Sequence, residues 1–285
     1  MAGVFAEHRT YLFGVAYRML GSAADAEDIV QEAYLRWSVR PRDDVVSPRG
    51  FLTRVVVRLC LDEVRSARAR RETYVGPWLP EPLLVDDRDP SWQAELADSL
   101  SLAFLVMLEE LGPVERAAFL LHDVFDYGYP EIADMLDRQE PACRALVSRA
   151  RRRVGDRRHR FGGDRAQGRQ LAERFVLACS SGDLGALMGM LSDDVVVWTD
   201  GGGVAKAARR PIYGADKSAR FLVAVSATVR ENAEVRDAVI NGQPGVLILA
   251  AGVVVNAVVL DIIDAEIVGV RVMSNPAKLT RLLPR

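Results

Sequence analysis

Residues 127–154, YGYPEIADMLDRQEPACRALVSRARRRV, read as two short helices joined by a tight turn. Ile132, Ala133 and Leu136 share one face of the first helix. On the second, Cys143, Leu146, Val147, Ala150 and Val154 recur at the spacing of a buried helical stripe. The opposite face carries Arg144, Ser148, Arg151 and Arg152. Pro141 suits a first helical turn, where its missing N–H would have no intrahelical partner. The pattern is that of a helix-turn-helix, with one face for packing and one free to enter a major groove. From residue 138 to residue 160 nine arginines stand against Glu140 and Asp156. A solvated bundle helix usually mixes its charges. A nearly pure arginine face fits phosphates, because each guanidinium is a planar, permanently charged fork. Arg138, Gln139, Arg144, Ser148 and Arg149 are the candidate base readers, since Arg pairs with guanine edges and Gln with adenine edges. Arg151, Arg152 and Arg153 suit phosphate contacts, which position rather than specify.

Outside this stretch, 285 residues imply two or three domains, and 49% apolar content is enough to build their cores. The net charge of −2 averages over segments of opposite sign. Residues 49–71 hold seven arginines against Asp62 and Glu63, whereas 72–100 hold seven acids against Arg88. Cys60, Cys143 and Cys179 have no metal-ligand spacing and lie in apolar helical patterns, which predicts reduced core thiols. Neither a signal peptide nor an apolar run of membrane-spanning length is evident, so a cytoplasmic protein without membrane contact is expected.

In the first 71 residues, Val4, His8, Tyr11, Leu12, Val15 and Met19 trace one helix face, closed by Gly21. Ser22 is placed to cap a second helix with Val30, Ala33, Tyr34 and Trp37 buried. Asp25, Asp28 and Glu32 line another of its faces, near Glu27 and Gln31. Acids stabilise a helix N-terminus, which accounts for the first turn but not for Glu32. A third helix, from about 51 to 71, buries Leu52, Val55, Val56 and Leu59 and aligns Arg54, Arg58 and Arg65. Residues 38–50 form a loop beside it, with two prolines and a glycine.

Residues 72–100 contain prolines at 77, 80, 82 and 90, which rules out a regular helix. A plain tether rarely carries Trp78, Leu79, Leu83 and Leu84 together, so this stretch should dock on something. Leu105, Leu108 and Leu111 begin the helices that precede the helix-turn-helix. Pro113 opens the next one, with Ala117, Leu120, Leu121 and Val124 buried. Residues 162–168, GGDRAQG, read as a joint. Beyond it Leu171, Phe175 and Cys179 face inward on one helix. Asp183 caps another, with Leu184, Leu187, Met188 and Leu191 buried. A short strand at 195–198 and a helix at 214–226 precede strands at 233–240, 246–251, 253–263 and 266–273. Asn241 with Gly242, and Asp264 with Ala265, mark turns. Helices followed by an antiparallel meander indicate an α+β domain. Asp200, Asp261 and Tyr213 are its candidate acid/base groups, and residues 168–285 contain no histidine. Fold alone does not imply activity, so no catalytic residue, metal or cofactor is expected.

DAEDIVQEAYLRW (25–37) followed by SPRGFLTRVVVRLCLDEVRSARARRE (47–72) resembles region 2 of bacterial extracytoplasmic-function sigma factors. LGPVERAAFLLHDVFDYGYPEIADML with RALVSRARRRV resembles their region 4. Asp137 stands where that family often has glycine in the turn, and Asp tolerates left-handed backbone. WLPEP (78–82), TDGGGV (199–204) and NPAKL (275–279) resemble strings of the SigJ-type subgroup, which carries a C-terminal SnoaL-like domain. Here Val204 replaces a lysine and Ala277 an aspartate.

The resemblance implies a multidomain protein: two all-α sigma domains, the second with the helix-turn-helix, plus an α+β SnoaL-like cone-shaped domain. The implied divisions are 1–71 (region 2), 72–100 (Pro-rich acidic linker), 101–160 (region 4) and 168–285 (SnoaL-like regulatory domain). It implies docking of Asp25, Asp28, Gln31 and Glu32 on the clamp helices of the largest subunit of RNA polymerase core, and a further contact with its flap region. Loop 38–50, with Asp43 and Asp44, would capture a flipped base of the −10 element of promoter DNA. Arg54, Arg58 and Arg65 would hold the strand nearby, and the helix-turn-helix would read the −35 element. Trp78, Pro80, Pro82, Asp200, Gly201, Gly202, Asn275, Pro276 and Lys278 would form the interdomain regulatory contact, in place of a separate anti-sigma protein. Two alternatives stay open: a sigma factor whose SnoaL-like pocket also binds or transforms a small-molecule ligand, and a helix-turn-helix repressor independent of polymerase.

Overall fold

In the computed structural model the described residues are 2–39, 45, 47–72, 74–84, 99–155, 165–228 and 233–282. The chain divides into two compact units. One comprises Met1–Thr73 with Phe104–Asp156, the other Tyr74–Ala103 with Arg157–Arg285. The linker residues therefore belong to the same unit as the C-terminal domain.

The first unit is helical. α1 (Ala2–Leu20) ends at Gly21, whose φ of 67° is left-handed, and Gly21 N donates to the Tyr17 carbonyl. α2 (Ala23–Ser38) starts at Ser22, whose hydroxyl accepts from Asp25 N. Tyr34 was expected inside but is 39% exposed, because Ala23, Ala26, Ile29, Val30, Ala33 and Trp37 already complete the buried face. Its ring meets Phe5 edge-on at 5.1 Å instead. Val4 is likewise exposed, in the first turn of α1. α3 (Pro48–Glu72) begins with its proline where no helical donor is needed and buries Leu52, Thr53, Val56, Val57 and Cys60. α4 (Leu102–Leu108) straddles the boundary between the units. α5 (Pro113–Phe119) passes into a π-helical turn, Leu120–Val124. α6 (Tyr129–Leu136) and α7 (Glu140–Val154) are the helix-turn-helix. Asp137 between them holds φ 54° and ψ 55°, the left-handed turn that aspartate tolerates.

The second unit is α+β. α8 (Arg165–Ser181) already includes part of the stretch read as a joint. Gly168 is needed there, since a Cβ would come within 2.6 Å of Pro244. α9 (Leu184–Met188) is capped by Asp183 and buries Leu187, while Met188 is 46% exposed and Met190 turns inward in its place. β1 (Leu191–Asp200), β2 (Ile212–Tyr213), α10 (Ala215–Ser226), β3 (Glu234–Ile240), β4 (Gln243–Ala250), β5 (Val253–Ile263), β6 (Glu266–Met273) and α11 (Pro276–Leu279) complete it. The strand order is β2-β1-β6-β5-β4-β3. β3 to β6 form the expected antiparallel meander, but β1 runs parallel to β6, so the sheet is mixed. Each hairpin turns on two residues with positive φ: Asn241 and Gly242, Ala251 and Gly252, Asp264 and Ala265. One sheet face packs Val195, Val197, Val246, Val258, Leu260, Val270 and Val272 against Leu171, Phe175, Leu187, Ala219 and Leu222 of the helices. By strand alternation Asp200, Trp198, Arg271, Asp261 and Gln243 lie on the other face.

Among the described residues no helix is long and apolar enough to cross a membrane. Cys60 and Cys143 are buried, and burial pushes the Cys179 thiol up to about 12, as expected of unreactive core thiols.

Candidate functional site

The helix-turn-helix buries Ile132, Met135, Leu136, Cys143, Val147, Ala150 and Val154, which leaves Arg138, Gln139, Arg144, Ser148, Arg149 and Arg152 exposed. Glu131 accepts from Gly128 N at 2.9 Å and so fixes the start of α6. Arg144 pairs with Glu140 one turn earlier, and its guanidinium lies 4.4 Å over the Tyr129 ring. Its charge is thereby held on the exposed side of α7 without being buried. Arg151 makes a forked ion pair with Asp123 at 2.8 Å, and Arg153 reaches Glu115 at 2.8 Å. Those two arginines therefore also tie α7 to the preceding helices.

On α2, Asp28 and Gln31 are exposed and Leu35, one turn further on, is 52% exposed. Asp25 is half-buried near the cap. Glu32 pairs with Arg36 at 2.8 Å, and Glu27 with Arg9 at 2.5 Å. Arg54 and Arg58 of α3 face α6: Arg54 holds Asp134 with both contacts near 3 Å, and Arg58 Nε reaches the Met135 carbonyl at 3.4 Å. Arg65 lies in α3, but its side chain is outside the described residues, as are Asp43 and Asp44.

The same faces meet more deeply at Tyr127, just before the helix-turn-helix. Its hydroxyl lies 3.0 Å from Thr53 Oγ1 on α3 and accepts from Tyr11 on α1 at 3.1 Å. Arg49 stacks 4.1 Å over Tyr11. Arg116 of α5 is buried, donating to the Met19 carbonyl and to Glu109, both at 2.7 Å. The Arg54–Asp134 pair is largely exposed, and such pairs contribute about 0–1 kcal/mol. The buried hydroxyl cluster and Arg116 therefore decide how firmly α1 and α3 hold the helices of the carboxyl-terminal half of this unit.

In the second unit, Asp200 is fully buried at the end of β1. Its carboxylate accepts from Tyr74 Oη at 2.5 Å, Leu79 N at 2.9 Å, Gly202 N at 3.0 Å and Lys278 Nζ at 2.8 Å. Lys278 also donates to the Leu79 carbonyl at 2.5 Å and lies between the rings of Tyr74 (5.0 Å) and Trp78 (4.4 Å). Asn275 caps α11 through Ala277 N and donates to Tyr74 Oη at 2.8 Å; Pro276 opens that helix. Burial, then the bond to Asp200, pushes the Tyr74 phenol well above its ordinary value, so it stays a neutral donor. Gly202, at φ 62°, must be glycine: a Cβ there would overlap the Asn275 amide. Leu79, Pro80, Glu81 and Pro82 are buried.

The strings WLPEP, TDGGGV and NPAKL are thus brought together, with Tyr74 as a member that sequence reasoning missed. Its signal was a lone aromatic at the mouth of the proline-rich stretch. Val204, which replaces the subgroup's lysine, is 82% exposed and lies outside this network. Asp261 is occupied by Arg271 and by Gln243 Nε2 at 2.8 Å, and Tyr213 is 65% exposed.

Residues 4–70 match the Sigma-70 region 2 family and residues 101–154 the Sigma-70 region 4 family. The ECF RNA polymerase sigma factor SigJ of Mycobacterium tuberculosis H37Rv is 43% identical over 218 residues, which cover 75% of this chain and 70% of that protein. A probable ECF RNA polymerase sigma factor SigI of the same species is 41% identical over 190 residues, 66% of each chain. The crystal structure of M. tuberculosis SigJ superimposes with a TM-score of 0.78 at 33% identity, covering 99% of both chains.

Proposed function

This chain belongs to the extracytoplasmic-function RNA polymerase sigma factors, and from that premise we propose that its C-terminal domain regulates it by holding the linker between regions 2 and 4. A sigma factor is a promoter-specificity subunit, so RNA polymerase and promoter DNA are its partners. The observation that carries the regulatory reading is the capture of Tyr74 and Leu79 by Asp200 and Lys278.

The finer assignments follow the same segments: region 2 over 1–71, linker over 72–100, region 4 over 101–160, regulatory domain over 168–285. Asp25, Asp28, Gln31 and Glu32 dock on the clamp helices of the largest subunit, and region 4 meets the flap. Arg54, Arg58 and Arg65, with Asp43 and Asp44, serve the −10 element. Arg138, Gln139, Arg144, Ser148, Arg149, Arg151 and Arg152 serve the −35 element. The engagement of Arg54 and Arg58 by α6 supports a resting state in which the −10 surface is covered by the −35 module. The protein acts in the cytoplasm and without catalysis. Asp200 and Asp261 lie on the sheet face opposite the helices and are consumed by hydrogen bonds. Leu171, Phe175, Leu187 and Leu260 are buried together in one apolar cluster, which favours a domain that holds chain over one that turns over a metabolite or carries a small-molecule ligand.

Capture of core RNA polymerase by the tagged chain tests the reading. Wild-type protein is expected to retain core enzyme, and the triple reversal Asp25→Lys, Asp28→Lys, Glu32→Lys to lose it. Undiminished capture by the triple variant overturns the docking assignment, and no capture by either chain overturns the regulatory reading built on it. For the −35 module, Arg144→Ala is expected to cost about 1–3 kcal/mol at one promoter position and to relax selectivity there. A promoter-variant binding series with an unchanged preference would remove Arg144 from the reader set.

A further inference from the structure

The hairpin turn between β3 and β4 makes a second set of contacts with the linker, remote in sequence from Asp200. Asn241 is fully buried in left-handed backbone. Its Oδ1 accepts from Leu83 N at 2.8 Å, and its own N donates to the Leu83 carbonyl at 2.8 Å. Leu84 forms an antiparallel bridge with Ile240, so the linker extends the edge strand β3 by main-chain pairing. The Asn241 Nδ2 donates to the Leu100 carbonyl at 2.9 Å, and Gln243 Oε1 accepts from Leu102 N at 2.9 Å. Leu102 opens α4, the first helix of region 4, so a side chain of the C-terminal domain satisfies one of its unpaired N-terminal donors. Gln243 is oriented from behind: its Nε2 donates to Asp261, which is held by Arg271, itself stacked 4.4 Å from Trp198.

We propose that Asn241 and Gln243 form a second linker-binding site, one that takes extended main chain and clamps both ends of segment 83–100 together. The proposal rests on the promoter-factor reading and names how that regulation works. One asparagine side chain bonds Leu83 and Leu100 at once, which keeps their backbones within about 8 Å by hydrogen-bond lengths. Seventeen residue steps that could reach about 56–61 Å when extended then contribute only that width. From the end of α3 to the start of α4 the free linker can span about 99–108 Å, and the clamped linker about 51–55 Å. The −35 and −10 elements are roughly 25 base pairs apart by their numbering, about 85 Å of duplex. The released linker covers that separation and the clamped one reaches about three-fifths of it. Opening this turn is therefore a condition for regions 2 and 4 to occupy both elements.

The test uses the full chain with two variants. Asn241→Gly keeps the left-handed turn and removes the clamp, whereas Gln243→Met frees Leu102 N while filling the same space. Amide hydrogen exchange is read in peptides containing Leu83 and Leu102. Run-off transcription is read with core polymerase on fragments of the source genome. Exchange at Leu83 is expected to rise about tenfold in Asn241→Gly, the change in open population that corresponds to 1.4 kcal/mol, with a severalfold gain in transcription. Gln243→Met is expected to raise exchange at Leu102. Unchanged exchange in both variants overturns the clamp. Faster exchange with unchanged transcription overturns its role in promoter engagement while leaving the sigma-factor assignment standing. A wild-type chain that binds no polymerase and starts no transcript sinks the promoter-factor reading itself, and the exchange arm still decides whether the clamp exists.

Discussion

Asp200→Ala is expected to destabilise the C-terminal unit by about 3–5 kcal/mol, the cost of removing the carboxylate of a buried ion pair. The substitution affects more than Lys278. Tyr74 Oη keeps only its bond from Asn275, and Leu79 N and Gly202 N lose their acceptor. Water cannot readily replace the carboxylate, because Asp200 is fully buried and the Lys278 side chain is only 13% exposed. Asp200→Asn separates charge from shape: its single oxygen can accept from the Tyr74 and Gly202 side or from the Leu79 and Lys278 side but not both, and it no longer neutralises Lys278, so an intermediate loss is expected. Urea unfolding of the C-terminal transition reads the stability, and exchange of the amides between 74 and 79 reads release of the linker. A loss below about 1 kcal/mol, the range of an exposed ion pair, would mean that the network is solvated and does not hold the linker.

The two halves of this site differed in how legible they were. TDGGGV and NPAKL were singled out by resemblance, and Trp78 and Leu79 by the oddity of apolar residues in a proline-rich stretch. What no local pattern could supply was the pairing of Tyr74 with Asp200, 126 positions apart. The same limit explains the parallel pairing of β1 with β6. Alternation marks each as a strand, but register between distant strands is set by the whole core. Helix ends were easier, because their signals are local: Gly21 and Asp137 act through left-handed backbone, and Ser22 and Asp183 accept from a backbone N–H three residues on. Tyr34 and Met188 were misplaced for a common reason. Both sit at the margin of a helical stripe, where a neighbour, Ile29 or Met190, fills the core first. Residues 165–168 looked like a joint because glycine is ambiguous. It marks a break in one setting and close packing in another, and here Pro244 leaves no room for a side chain at Gly168.

Regulation by a held linker works only if the helical unit can open once the linker is free, and Arg116 is where that balance is set. Arg116→Ala is expected to cost the helical unit about 3–5 kcal/mol, since it removes the buried donor shared by the Met19 carbonyl and Glu109. With a denaturant slope of about 1–3 kcal/mol per molar urea, the midpoint of that transition falls by roughly 2 M. Arg116→Met keeps the packing volume but removes the same donors, so it should recover only the packing part of the loss. The contrast matters for function. The Arg54–Asp134 pair, at the surface, is too weak to hold region 2 against the helix-turn-helix by itself. If Arg116 joins α5 to α1 firmly, Arg116→Ala should also expose the Arg54 and Arg58 face, measured as tighter, salt-dependent binding of single-stranded −10 DNA. A methionine variant as stable as the wild type, with only the alanine variant destabilised, would show that Arg116 contributes only bulk. Lowered stability with unaltered DNA binding would place the decisive contact at Tyr127 and Thr53 instead.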